Sequence, residues 1–170
     1  MRVVIMSGVS GSGKSTYIVN NFPDRLYPMW GQIPRADTNE QAVIVSADHY
    51  FQDPLVDSKY TFHASQLSLA HGKCFRKFIL AMQSGAVNVV VDNTNTTSEE
   101  IAPYILGAQA FGYEPEIITF MCESEDDVKV AAGRNAHGVP FATVLRQYTN
   151  LRQRKLMPWW VNTIIPVTFE

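Results

Sequence analysis

Residues 8–15 read Gly-Val-Ser-Gly-Ser-Gly-Lys-Ser, an unbroken G-x-x-x-x-G-K-[ST] run. The chemistry open to such a run is the holding of phosphate. Glycines let backbone N–H groups converge on phosphate oxygens where a side chain would clash. The start of a following helix adds roughly half a unit of positive charge. On this reading Gly8, Ser10, Gly11, Ser12 and Gly13, with Ser15 and Thr16 at the helix start, cradle the phosphates. Lys14 reaches the β- and γ-phosphates, and the Ser15 hydroxyl is a hard oxygen ligand for Mg²⁺. The motif predicts a nucleoside triphosphate, ATP in first place. It is silent on what receives the phosphate.

Two carboxylates stand where apolar runs end. Asp48 follows VIVSA and Asp92 follows VNVVV. Phosphoryl transfer needs metal charge on the phosphates and a group that orients the incoming hydroxyl. Asp92 is the candidate for organising Mg²⁺, through water, and Asp48 for the base. Turn or cap residues are the other reading for both. The run Asp92-Asn93-Thr94-Asn95-Thr96-Thr97 is rich in short polar groups that either touch substrate oxygens or cap the next helix; Asn95 is the expected substrate contact. Residues 134–140, Arg134-Asn135-Ala136-His137-Gly138-Val139-Pro140, are bracketed by Gly and Pro and can move as a lid. Arg134 is placed to neutralise charge on the transferring phosphoryl group, and His137 is a second candidate contact. Phe51, beside Tyr50, either stacks on an acceptor base or packs in the core. Trp30 has the same two readings, tilted to packing or a surface patch, and Trp159-Trp160 are expected to anchor the C-terminal segment.

The elements that must position these groups alternate. Short apolar runs at 2–6, 43–46, 87–91, 116–121 and 163–168 read as strands, the last an edge because of Pro166. Helices are expected over about 14–21, 64–84, 97–111, 124–134 and 140–155. Thr97 with Glu100, and Ser124 with Asp127, have capping-box spacing. Residues 22–41 carry three prolines, three aromatics and a Gly and read as a loop excursion. Apolar strands without alternation are buried on both faces, so the architecture is α/β, a parallel sheet covered by helices.

Composition bounds the rest. A chain of 170 residues reads as one domain, 1–170, able to bury about 70% of its unfolded surface. With 46% hydrophobic and 18% charged residues it is not a disordered chain. A net charge of −2 argues against coating nucleic acid by bulk charge. It leaves open a local basic groove from Lys73, Arg76 and Lys77, or from Arg146, Arg152, Arg154 and Lys155; a solvated helix face is the alternative. Cys74 and Cys122 suit buried free thiols. With no membrane span and no secretory signal in the sequence, a soluble, cytoplasmic protein is expected, in the host cytoplasm if viral.

Taken together, GVSGSGKST at 8–16, VSADHYF at 45–51, YTFHASQLSLAH at 60–71, VVVDNTNTT at 89–97 and RNAHGVP at 134–140 resemble the small kinases of the polynucleotide-kinase and zeta-toxin clan. The resemblance covers roughly residues 1–150. It implies a three-layer, adenylate-kinase-like P-loop fold with a parallel sheet of about five strands. It implies ATP as donor, a hydroxyl as acceptor, Asp48 as base and Arg134 as lid arginine. Clan members phosphorylate 5′-hydroxyl ends of nucleic acid or other hydroxyls; bacteriophage relatives modify hydroxymethyluracil within DNA. End-phosphorylating members often carry Arg three positions after the base, where this chain has Phe51, and an acidic residue where His63 stands. The expected activity is therefore ATP-dependent phosphorylation of a polynucleotide hydroxyl, DNA foremost, at a 5′ end or on a base. A small-molecule kinase and a non-catalytic nucleotide-binding adaptor are the alternatives.

Overall fold

The computed structural model describes residues 1–28, 37–55 and 59–169. Six strands form one sheet in the order β2-β3-β4-β1-β5-β6: β1 (Arg2–Gly8), β2 (Asp24–Leu26), β3 (Gln41–Val45), β4 (Asn88–Val91), β5 (Glu114–Met121) and β6 (Val161–Pro166). Every pairing is parallel. Ile5 of β1 is flanked by Val91 of β4 and Ile117 of β5, and Val91 in turn pairs with Val45 of β3. This register brings the carboxyl ends of β1, β3 and β4 to one rim, where ligands of open α/β sheets lie.

The helices are α1 (Lys14–Asn21), α2 (Leu67–Gln83), α3 (Ser98–Ala110), α4 (Glu125–Arg134) and α5 (Phe141–Gln153). Successive residues of β1 serve opposite faces, as strand geometry demands. Val3 and Ile5 pack with Phe78 of α2 and with Ile101, Tyr104 and Ile105 of α3. Val4 and Met6 pack with Ile18 of α1, Val128 of α4 and Val144 and Leu151 of α5. The result is three layers. Both expected capping boxes form. Thr97 Oγ1 accepts from Glu100 N while Glu100 Oε2 accepts from Thr97 N. Ser124 and Asp127 do the same for α4. Cys74 and Cys122 are buried free thiols in separate core clusters. No helix among the described residues is long and apolar enough to cross a membrane.

The sheet has one strand more than the expected five. β2 lies in the stretch read as an excursion and pairs with β3, Asp24 opposite Gln41. Three residues, two of them charged, carry no strand periodicity, so only pairing to a neighbour makes them a strand. Trp30 lies outside the described residues. Of the two terminal tryptophans, Trp160 packs against the α2–α3 side of the core while Trp159 is 72% exposed.

Arg154 corrects the reading of a basic helix face. It follows the last residue of α5 and turns inward. Its guanidinium donates to Ser7 Oγ at 2.6 Å, Thr119 Oγ1 at 2.6 Å and the Asn95 carbonyl at 3.2 Å. It thus pins α5 to β1, β5 and the loop after β4. Burial lowers its pKa to about 10, which leaves it charged at neutral pH. Arg154→Ala removes three hydrogen bonds from a charged donor to buried oxygens and is expected to cost about 3 kcal/mol. That is a fall in Tm of roughly 6–12 °C, and a Tm within about 2 °C of wild type contradicts this role.

His49, in the short 3₁₀ turn Asp48–Tyr50 after β3, sets its ring edge-on to Tyr27 at 5.5 Å. Burial, reinforced by the charge of Lys77, pushes its imidazole down to about 4. The unfolded chain takes up that proton near pH 6.5. Stability is therefore lost as pH falls from about 6.5 toward 4, and the loss is complete below that. His49→Gln is expected to flatten the pH dependence of Tm in this window, and an unchanged slope contradicts a neutral, half-buried His49.

Candidate active site

A cavity of about 510 Å³ opens at the rim where β1, β3 and β4 end. Its floor is the loop from β1 to α1. Gly11 has φ +80°, and a Cβ there would lie 2.0 Å from the Ala131 carbonyl oxygen of α4. Only glycine lets the loop pass so close to that helix. Lys14 is buried, and its Nζ donates to the carbonyls of Gly8 at 3.0 Å and Val9 at 2.8 Å. Burial lowers its pKa, opposed by the charges of Asp92, Asp48 and Cys122. Ser10 N is held by Gln147 Oε1 of α5 at 2.9 Å, and the buried Ser12 hydroxyl has no hydrogen-bond partner among the described residues. Gly13 is the N-cap of α1, and Thr16 lines the cavity from its first turn.

Ser15 Oγ donates to Asp92 Oδ2 at 3.4 Å, so two hard oxygen donors meet at the mouth of the loop. Burial raises the Asp92 pKa, while Lys14 and the Ser15 hydrogen bond pull it back. A hard divalent cation suits this pair, because it favours the charged carboxylate that burial disfavours. Among the described residues no three His, Cys, Asp or Glu side chains gather to hold a metal by themselves. Mg²⁺, which keeps waters and takes phosphate oxygens, fits such a sparse set better than a metal that needs a full protein cage.

Asp48 enters the same cavity from the end of β3. Its Oδ1 accepts from Tyr60 Oη at 2.9 Å, and its Oδ2 lies 3.7 Å from His137 Nε2. The spacing of the two aspartates is set by Asn93. Its Oδ1 accepts from Ala47 N at 2.8 Å, next to Asp48, and its Nδ2 donates to Tyr104 Oη at 3.4 Å and Cys74 Sγ at 3.5 Å. Arg134, the last residue of α4, lines the cavity with its guanidinium 4.7 Å over the Phe169 ring.

The structure thus gathers Lys14, Ser15, Asp48, Asp92, Arg134 and His137 around one cavity. Two expected substrate contacts are not among them. Phe51 is buried, 5% exposed, with rings of Tyr50, Tyr60 and Phe62 against it, so it packs and does not stack on an acceptor. Asn95 is also buried. Its Nδ2 donates to the Met6 carbonyl at 2.7 Å, its own carbonyl takes bonds from Ser7 and Arg154, and its φ is +41°. It braces the end of β1 instead of facing a substrate. Three contributors carried no sequence signal of this role: Gln147, His49 and Tyr60. Asn93 stood inside the polar run already singled out.

Residues 3–155 match the family described as AAA domain, AAA_33. The human NEDD4-binding protein 2 is 25% identical over 174 residues, which take in 99% of this chain and 8% of that protein. A gluconokinase from Sinorhizobium meliloti 1021 shares the fold with a TM-score of 0.57 at 14% identity, over 99% of this chain and 84% of that one. A chain of the Pnkp1/Rnl/Hen1 RNA repair complex does so with a TM-score of 0.58 at 16% identity, over 89% of this chain and 44% of that one. A phosphate loop at the end of the central strand, matched across nine-tenths of the chain, leaves one conclusion: the chain belongs to the AAA domain family AAA_33 and has the P-loop fold of kinases.

Proposed function

We propose that this protein transfers the γ-phosphate of ATP to a hydroxyl group of a polynucleotide. The observation that carries the reading is the position of Asp48. Its carboxylate, oriented by Tyr60, shares one cavity with Lys14, Asp92 and Arg134. A P-loop that only bound nucleotide would use the metal-holding Asp92 but not the second carboxylate, Asp48, in the same cavity.

In this mechanism the loop backbone and Lys14 hold the β- and γ-phosphates in place. Ser15 and Asp92 hold Mg²⁺, which when bound supplies charge that neutralises the phosphates. Asp48 accepts the proton of the acceptor hydroxyl as the new O–P bond forms and the bond to the β–γ bridging oxygen breaks. Arg134 moves from the Phe169 ring to the transferring group. Fixed charges aimed at developing charge supply most of the acceleration in such a site.

A polymer acceptor is supported by what lies beside Asp48. Lys73 of α2 stands 4.6 Å over the Tyr50 ring, and the charge of Lys77 acts on His49. Both flank the turn that carries Asp48. Phe62, half exposed and parallel to the Tyr60 ring, offers a face for a base. One observation favours a second reading, a small-molecule kinase. The lysine and arginine among the described lining residues, Lys14 and Arg134, both belong to the donor end. The position that carries a phosphate-binding arginine in end-phosphorylating relatives holds the buried Phe51. A hydroxymethyl group on a base therefore suits the site better than a phosphate-flanked 5′ end.

Label transfer from γ-labelled ATP tests this. The acceptors are 5′-hydroxyl DNA and RNA, 5′-phosphorylated duplex containing hydroxymethyluracil, free nucleosides and sugars. Label is expected on a polynucleotide, with at least a hundredfold loss in Lys14→Ala. Its kcat/KM is expected to fall steeply between about 50 and 200 mM salt. Label confined to nucleosides or sugars, without salt dependence, overturns the polymer reading in favour of the second.

A further inference from the structure

The carboxylate of Asp48 hangs from a single turn of 3₁₀ helix, and its side chain is 48% exposed. Its backbone N–H is held by Ser46 Oγ at 3.2 Å, but nothing in that turn fixes the carboxylate's rotation. The group that does so comes from twelve residues on. We propose that Tyr60 is a positioning residue for the transfer step: its hydroxyl occupies Oδ1 of Asp48, so that Oδ2, on the side of the lid, is the oxygen that takes the acceptor's proton. The inference rests on the kinase reading above.

Tyr60 is itself well held. Its ring meets Phe51 at 6.0 Å, Phe62 at 6.5 Å and His137 at 4.3 Å. Phe51 is part of the core, so the tyrosine rests on a rigid base. Burial and the adjacent Asp48 charge both raise the phenol's pKa, so Tyr60 is a proton donor throughout the working range. A hydroxyl that cannot ionise there can only donate to the carboxylate, which takes one lone pair of Oδ1 and fixes the carboxylate's rotation. The remaining oxygen, Oδ2, faces His137 without a hydrogen bond at 3.7 Å. An acceptor hydroxyl needs to come within about 2.6–3.2 Å of its base, and Oδ2, with neither lone pair taken by Tyr60, is the oxygen better placed for it.

The lid completes the arrangement. Asn135 staples the loop: its Nδ2 donates to the carbonyls of Ala132 and Val139, and its Oδ1 accepts from Val139 N at 2.7 Å. Arg134 and His137 are therefore carried by one small braced unit. Rotation of the Arg134 side chain toward the phosphates leaves this unit in place, with His137 over the Tyr60 ring at the Oδ2 side. In the step itself Oδ2 receives the hydroxyl proton, the acceptor oxygen bonds to the γ-phosphorus, and the nucleoside diphosphate leaves with the electron pair of the broken bond.

Tyr60→Phe tests this while keeping the ring and its packing. Loss of one hydrogen bond to a charged group is expected to lower kcat roughly ten- to hundredfold, with KM for ATP within about twofold of wild type. Independently of turnover, the Cζ NMR resonance of Tyr60, assigned by its disappearance in Tyr60→Phe, is expected to shift in Asp48→Ala. A resonance that ignores Asp48, or a Tyr60→Phe kcat within about twofold of wild type, overturns the proposal. If wild type transfers label to no acceptor while the resonance still answers to Asp48, the kinase reading fails and the catalytic role with it; the contact alone survives.

Discussion

The site is organised by one buried ammonium. Lys14 sits beneath the rim of the sheet, bonded to the carbonyls of its own loop and balanced by the charges of Asp92 and Asp48. A buried cation is costly unless paired and hydrogen-bonded. The fold meets that need from two strand ends at once. β4 delivers Asp92, β3 delivers Asp48, and Asn93 ties the two ends together. Any change of register in β3 or β4 would move a carboxylate away from the lysine. The parallel sheet is thus as much an electrostatic requirement of the site as a packing solution.

Two further restraints keep the loop where the lysine needs it. From one side, Gly11 runs against the Ala131 carbonyl at a distance that no side chain permits. From the other, Asn95 and the inward-turned Arg154 brace the end of β1 through Met6, Ser7 and Thr119. A half-buried arginine whose hydrogen-bond partners are neutral oxygens is held by geometry more than by ion pairing. That explains why a residue at the end of α5, far along the chain, belongs to the support of the phosphate loop.

Much of this was legible in the residues. The phosphate loop, the two strand-end aspartates, the cavity-lining loop after α4 and both capping boxes depend on local spacing, and local spacing is what a sequence displays. The errors fall where orientation decides. Phe51 and Tyr50 are neighbours on one turn, and a rotation of that turn determines which ring faces inward; composition does not. Asn95 looks like a substrate contact by type, but its positive φ and inward side chain follow from the brace to β1. β2 exists only because β3 offers an edge to it. Tyr60 stands in the motif at 60–71, yet its bond joins it to a residue twelve positions earlier and leaves no period to read.

Among the described residues from Asp48 to Phe62 there is one short 3₁₀ turn and no strand, and the rings of Phe51, Tyr60 and Phe62 pack together beside the Asp48 carboxylate. There the aromatic packing of Phe51 under Tyr60 substitutes for secondary structure. The central claim is that this carboxylate acts in phosphate transfer and not in nucleotide binding. The most direct measurement is ATP affinity and single-turnover transfer in Asp48→Asn. Unchanged ATP binding with transfer reduced by about 10²–10⁴ is expected. Transfer at the wild-type rate in a variant that binds ATP normally would contradict it.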